Sequence, residues 1–123
     1  MQFCHVTLAV ENLETSLAFY CDIVGLKLKQ RLSVGAGTEI AFLGDNAELE
    51  LISGSMGICK EGQQKGNGVS VGFFTESLED MIILLREKAY EVDGEIICPN
   101  PSVRFFFAKD PDGYTVQFMQ RNT

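Results

Sequence analysis

The sequence predicts an α+β fold built from two βαβββ units. Three observations carry that reading. The order strand, helix, strand, strand, strand runs once through residues 1–53 and again through residues 69–123. The pair Leu13-Glu14 recurs 65 residues later as Leu78-Glu79, each time a few residues after a strand. Between the halves, residues 54–68 hold five glycines and little periodicity, which reads as a linker or mobile loop. At 123 residues the chain is expected to form one domain, 1–123, of two units. A lone βαβββ unit leaves one face of a small sheet uncovered, so two of them are expected to complete each other.

The first unit opens with Phe3–Val10, rich in β-branched and apolar residues and expected to be a strand buried on both faces. Asn12 is a suitable N-cap and Glu14 suits the first turn of a helix. Apolar residues then fall at 13, 17, 20 and 24, and Gly25 ends the helix. Strands are expected over 26–34, 38–43 and 47–53, divided by Gly35-Ala36-Gly37 and Gly44-Asp45-Asn46. In the last of these, alternation puts Leu49 and Leu51 on one face and Glu48, Glu50 and Ile52 on the other. The second unit repeats the plan. A strand is expected over 69–75, followed by a helix over 77–88 with Leu78, Met81, Ile82, Leu85 and Ala89 on one face. Strands over 95–98, 103–108 and 114–120 follow, with turns at Pro99-Asn100-Pro101 and Asp110-Pro111-Asp112-Gly113. Phe73, Phe74, Phe105, Phe106 and Phe107 lie on strands, so alternation divides them between the core and the opposite face.

Composition excludes several classes. The net charge of −7 argues against a nucleic-acid partner, which needs a basic patch. No apolar run reaches the roughly 18 residues of a membrane span, and no basic segment precedes the first strand. The expected location is the cytoplasm, and no membrane partner is expected. Cys4, Cys21, Cys59 and Cys98 form no C-x-x-C pair and are expected to be free thiols. Cys4, Cys21 and Cys98 stand among apolar neighbours, where cysteine acts as a small hydrophobe.

The stretches HVTLAVENLETSLAFYCDIVGLKL, ELELIS and FFFAKDPDGYTVQFMQ together resemble the vicinal oxygen chelate superfamily. That superfamily includes glyoxalase I, fosfomycin- and bleomycin-resistance proteins, extradiol dioxygenases and methylmalonyl-CoA epimerases. The resemblance covers nearly the whole chain. It implies two βαβββ units whose mixed sheet curves around a cup-shaped cleft. It also implies a small-molecule ligand and a homodimer, with units pairing within one chain or between chains. Family members hold a divalent metal (Zn, Ni, Mn or Fe) through four side chains, from the first and last strand of each unit. Carried onto this chain, those positions are His5, Glu50, Ser70 and Gln117. The metal-dependent members usually have His or Gln first, Glu second, His third and Glu fourth, so here the third position departs to Ser and the fourth to Gln. The resemblance therefore implies His5, Glu50 and Gln117 as metal ligands and Glu50 as the catalytic base, because Gln117 cannot accept a proton. A Ser hydroxyl is a poor ligand for these metals, and the set supplies a single negative charge.

The residues alone allow plainer readings. His5 on an apolar strand can be a structural histidine, alternation can leave Glu50 on a solvated face, and Gln117 can be a hydrogen-bonded core residue. Glyoxalase I carries an Arg four residues after the first ligand and an Asn a few residues past the second, where this chain has Ala9 and Gly54. The expectation is a metal-assisted lyase or isomerase that is not a standard glutathione-dependent glyoxalase I. The alternative is a metal-free protein of bleomycin-resistance type that binds its ligand in the cleft. An extradiol dioxygenase needs two histidines, and this chain has one.

Overall fold

The computed structural model describes residues 1–35, 37–45, 47–54 and 69–122. Beyond Gly54, the expected linker lies outside the described residues. The chain divides into two compact units, Met1–Lys65 and Gly66–Thr123. Each carries its own four-stranded mixed sheet, and the α+β expectation holds in both.

In unit one the strands are β1 (His5–Ala9), β2 (Leu28–Ser33), β3 (Glu39–Leu43) and β4 (Glu48–Ser53). Their spatial order is β1-β4-β3-β2, with β1 and β4 parallel and the other pairs antiparallel. Helix α1 (Leu13–Leu17) follows β1. The Asn12 side chain accepts a hydrogen bond from the Thr15 amide at 3.0 Å and so caps the helix. A π-helical stretch, Ala18–Ile23, continues it. The Val24 amide donates to the Phe19 carbonyl at 3.0 Å and the Leu26 amide to the Tyr20 carbonyl at 2.9 Å. Gly25 at φ +90° permits that reversal, as expected of a glycine just past a helix end. Leu13, Leu17, Phe19 and Tyr20 are buried with Leu8, Ala41, Leu43, Leu49 and Leu51 to form the core.

One expectation for this unit fails. The first strand is not buried on both faces: His5 and Val6 are exposed, and only Leu8 and Ala9 of β1 are buried. β1 is the edge of its sheet, and helix α1 packs against β3 and β4.

Unit two has β5 (Ser70–Phe74), β6 (Val92–Asn100), β7 (Val103–Lys109) and β8 (Thr115–Arg121), in the order β5-β8-β7-β6. The β5–β8 pair is parallel. Helix α2 (Leu78–Glu87) is capped by the Ser77 hydroxyl, which accepts from the Asp80 amide at 3.2 Å. Leu78 and Leu85 bury the helix against a core of Phe106, Ala108, Val116 and Phe118. The rings of Phe106 and Phe118 stack with centroids 5.4 Å apart. Burying each such ring contributes about 2–3 kcal/mol. The start of α2 is tied to the sheet as well. The Leu78 amide donates to Gln120 Oε1 at 3.0 Å, and Arg104 bridges Gln120 Oε1 and Glu79. Beside that guanidinium the Glu79 carboxyl is held below its usual range.

The β6 strand is longer than the expected 95–98 and runs through Pro99. An edge strand tolerates a proline because its outer N–H needs no ladder partner. The Asp110–Gly113 turn forms as expected. The Gly113 amide donates to the Asp110 carbonyl at 3.0 Å, and Asp110 Oδ1 accepts from the Asp112 and Tyr114 amides at 2.9 Å each.

Ala89 does not extend the buried face of α2. It is exposed, with φ +62°, and ends the helix: the Tyr90 amide reaches the Leu85 carbonyl at 2.9 Å. An L-residue with a Cβ pays about 1–2 kcal/mol for that left-handed conformation, and glycine does not. Ala89→Gly is therefore expected to raise the unfolding free energy by about 1 kcal/mol, read as a higher urea midpoint at unchanged slope.

Candidate functional site

The parallel pairing of β1 with β4 places Thr7 opposite Glu50 and His5 opposite Glu48. Strand alternation puts His5, Thr7, Glu48 and Glu50 on the face turned away from Leu49 and Leu51. The antiparallel β3 adds Phe42 opposite Glu50. His5, Thr7, Phe42 and Glu50 thus gather on one face from three strands.

The contacts among them are specific. His5 Nε2 lies 3.4 Å from Glu50 Oε1. Thr7 Oγ1 donates to the same Glu50 oxygen at 2.5 Å. The His5 ring meets Phe42 edge-on at 5.9 Å between centroids, and its Nδ1 lies 3.5 Å from Cys4 Sγ. The Glu50 side chain is 14% exposed and that of His5 37%. Glu50 is therefore a largely covered carboxylate with a neighbour on each side, and a solvated-face reading does not describe it. Cys4 is not in apolar surroundings: it is exposed against the His5 ring, Cys98 is exposed too, and only Cys21 is partly covered. Burial, with Asp22 adding to it, pushes the Cys21 thiol up.

The His5–Glu50 separation bears on metal chemistry. A charge-assisted N–H···O bond between them would measure about 2.7–2.9 Å. Two ligands about 2.1 Å from one tetrahedral metal stand about 3.4 Å apart. At 3.4 Å the pair is longer than a charge-assisted hydrogen bond and matches the spacing available to two ligands of one ion or to a loose ion pair. Among the described residues, no cluster of three or more His, Cys, Asp and Glu side chains is arranged to hold a metal. His5 and Glu50 are two donors of the right chemistry, and Thr7 holds the carboxylate as an outer-shell partner does. Thr7 was not singled out by the sequence. The signal was there, two residues after His5 on the same face.

Unit two repeats the register with different chemistry. Gly72 stands opposite Gln117, and Phe107 opposite Gln117 on the other side. Ser70 occupies the place of His5 and is exposed, and Gln117 occupies the place of Glu50 and is half-buried. Gly72 leaves room for the amide: a Cβ there would lie 3.6 Å from Gln117 Oε1. Phe105 and Phe107 meet edge-on on this face, 5.5 Å apart. At the places of His5 and Glu50 the face carries the uncharged Ser70 and Gln117 beside an aromatic pair, and its cations, Lys109 and Arg121, stand on Thr115 and Phe74.

Gly54, the residue after β4, is fixed by geometry. It sits at φ +110°, and a Cβ there would fall 2.5 Å from the Gly37 carbonyl oxygen and 2.7 Å from Thr38 Cα. No side chain fits without displacing that backbone. Gly54→Ala is expected to cost about 2 kcal/mol or more in unfolding free energy, measured by urea denaturation.

Comparison with known proteins gives a consistent picture. The sequence model of the Glyoxalase/Bleomycin resistance protein/Dioxygenase superfamily matches residues 2–118. A probable lactoylglutathione lyase of Synechocystis sp. is 30% identical, over 100% of this chain and 98% of its own. Among solved structures, a glyoxalase family protein from Bacillus cereus superposes with a TM-score of 0.82 at 20% identity, covering 100% of this chain and 95% of that one. The Leishmania major glyoxalase I gives 0.79 at 20% identity, covering 98% and 86%. The match over nearly the whole chain carries one conclusion: the chain belongs to the Glyoxalase/Bleomycin resistance protein/Dioxygenase superfamily.

Proposed function

We propose that the protein is a metal-assisted lyase or isomerase acting on a small molecule with adjacent oxygens, and that it differs from a glutathione-dependent glyoxalase I in its substrate. The observation that carries this is the His5 Nε2–Glu50 Oε1 separation of 3.4 Å, with Thr7 holding the carboxylate. His5 and Glu50 would hold a divalent ion such as Zn, Ni, Mn or Fe, with Gln117 as a third, neutral ligand. A bound divalent ion supplies Lewis acidity toward a substrate carbonyl.

The chain's own residues do the rest. Glu50 Oε1 is engaged by Thr7 and faces His5, which leaves Oε2 to take a proton from the carbon beside the carbonyl. The same oxygen returns that proton to the former carbonyl carbon while the hydroxyl proton of the first carbon passes to the former carbonyl oxygen, so the step balances as an isomerisation. Phe42 covers His5 on one side and limits water there. Substrate identity is where the reading parts from the relatives named lactoylglutathione lyase. Ala9 is buried and offers no cation, and Gly54 cannot bear a side chain. A homodimer in the cytoplasm belongs to the same reading.

One observation favours a second reading, a metal-free binding protein. The counterparts of the ionic pair in unit two are Ser70 and Gln117, neither charged, beside the Phe105–Phe107 pair.

Calorimetric titration with Zn²⁺ and Ni²⁺ separates the two. The enzyme reading expects one equivalent bound per chain and loss of that binding in His5→Ala. Thr7→Val should weaken it about 10–100-fold. Glu50→Gln should keep the fold and abolish turnover. No binding by the unaltered protein at millimolar metal supports the metal-free reading instead.

A further inference from the structure

Arg121, the last residue of β8, has its guanidinium carbon over the Phe74 ring, 3.8 Å from the centroid. Both residues line a cavity of about 410 Å³ in unit two, together with Thr75, Glu76 and Gln120. That volume lies in the range of small-molecule sites. Arg121 makes no ion pair or hydrogen bond with any of the described residues, so its five N–H donors are unused by the fold. Stacking occupies a face of the guanidinium and leaves its in-plane donors for a partner. Phe74 is 57% exposed, so the stacked pair is open to a ligand.

Position within the repeat strengthens the case. Arg121 follows Gln117 by four residues, as Gly54 follows Glu50, and Phe74 follows Ser70 as Ala9 follows His5. In unit one this pair of places is bare, because Ala9 is buried and Gly54 admits no side chain. In unit two it carries a stacked cation and an aromatic ring.

We propose that Arg121, held on Phe74, is the carboxylate-recognition point of a ligand subsite in unit two. A guanidinium with a free edge pairs a planar carboxylate through two parallel hydrogen bonds, which a lysine cannot reproduce. The Thr75 and Gln120 groups suit the polar part of such a ligand. Glu76 lines the same cavity without contacting Arg121, and its charge works against a simple carboxylate. The subsite names a ligand class for unit two by itself: a small carboxylic acid, held four residues along β8 from Gln117.

The test uses the full-length protein without added metal, with benzoate as probe and benzamide as its uncharged match. Binding is followed by NMR shifts of the Phe74–Glu76 amides and of Arg121 Nε–H. Benzoate should bind at least about tenfold tighter than benzamide. Arg121→Gln should weaken benzoate about tenfold, Arg121→Lys should recover only part of the loss, and Glu76→Gln should tighten it about threefold. Glu76→Gln leaves the Arg121–Phe74 stack intact, so it tests the subsite even where the Arg121 variants fold poorly. Equal binding of the two probes, or benzoate affinity unchanged in both Arg121→Gln and Glu76→Gln, overturns the proposal. Because no metal or turnover is read, failure of the metal assignment at His5 leaves this result interpretable on its own.

Discussion

The parallel pairing of the first and last strand in each unit is the constraint on which the rest depends. Side chains alternate along a strand, so a slip of one residue would send Glu50 to the core and Leu51 to the open face. The buried set Leu8, Leu49 and Leu51 fixes that register, because the alternative would bury a carboxylate and expose three leucines. Once the register is fixed, Thr7 has to stand opposite Glu50, and His5 lies one step away on the same face. The site is thus a consequence of core packing on the other side of the sheet. Unit two obeys the same constraint with Phe118 and Val116 in the core and Gln117 between them.

The two units share a register and differ in charge. Unit one brings an imidazole to a covered carboxylate; unit two presents Ser70, Gly72 and Gln117 beside two phenylalanines. A carboxylate costs several kcal/mol to bury unless it finds a partner, and in unit one the hydroxyl of Thr7 meets part of that need for Glu50. No such cost arises in unit two.

Much of this was legible in the sequence. The repeat, the Asn12 cap, the Asp110–Gly113 turn and the alternation of ELELIS are local signals, and local structure follows them. Apolar composition does not tell an edge strand from a central one, so the exposure of His5 and Val6 is not legible. The extent of β6 is not legible because its exposed edge lacks alternation. Helical periodicity continues past the last hydrogen-bonded turn, so Ala89 reads as helical though it ends the helix. At the site, His5, Glu50 and Gln117 were reachable through family resemblance. Alternation puts Thr7 on the face of His5, but the contacts of Glu50 with both are not legible, since they arise from pairing between strands whose partners stand 43 residues apart. The steric demand at Gly54 likewise comes from a backbone approach that no local pattern records.

The central claim is that the strand register makes His5 and Glu50 two ligands of one ion. His5 is the chain's single histidine, so its ring nitrogens give an unambiguous signal in a long-range ¹⁵N–¹H spectrum. Titration with one equivalent of Zn²⁺ tests the claim most directly. The account predicts that Nε2 moves to a metal-bound shift while Nδ1 carries the proton, and that Glu50→Gln abolishes the change. Ring nitrogens that stay in place at saturating zinc would contradict it.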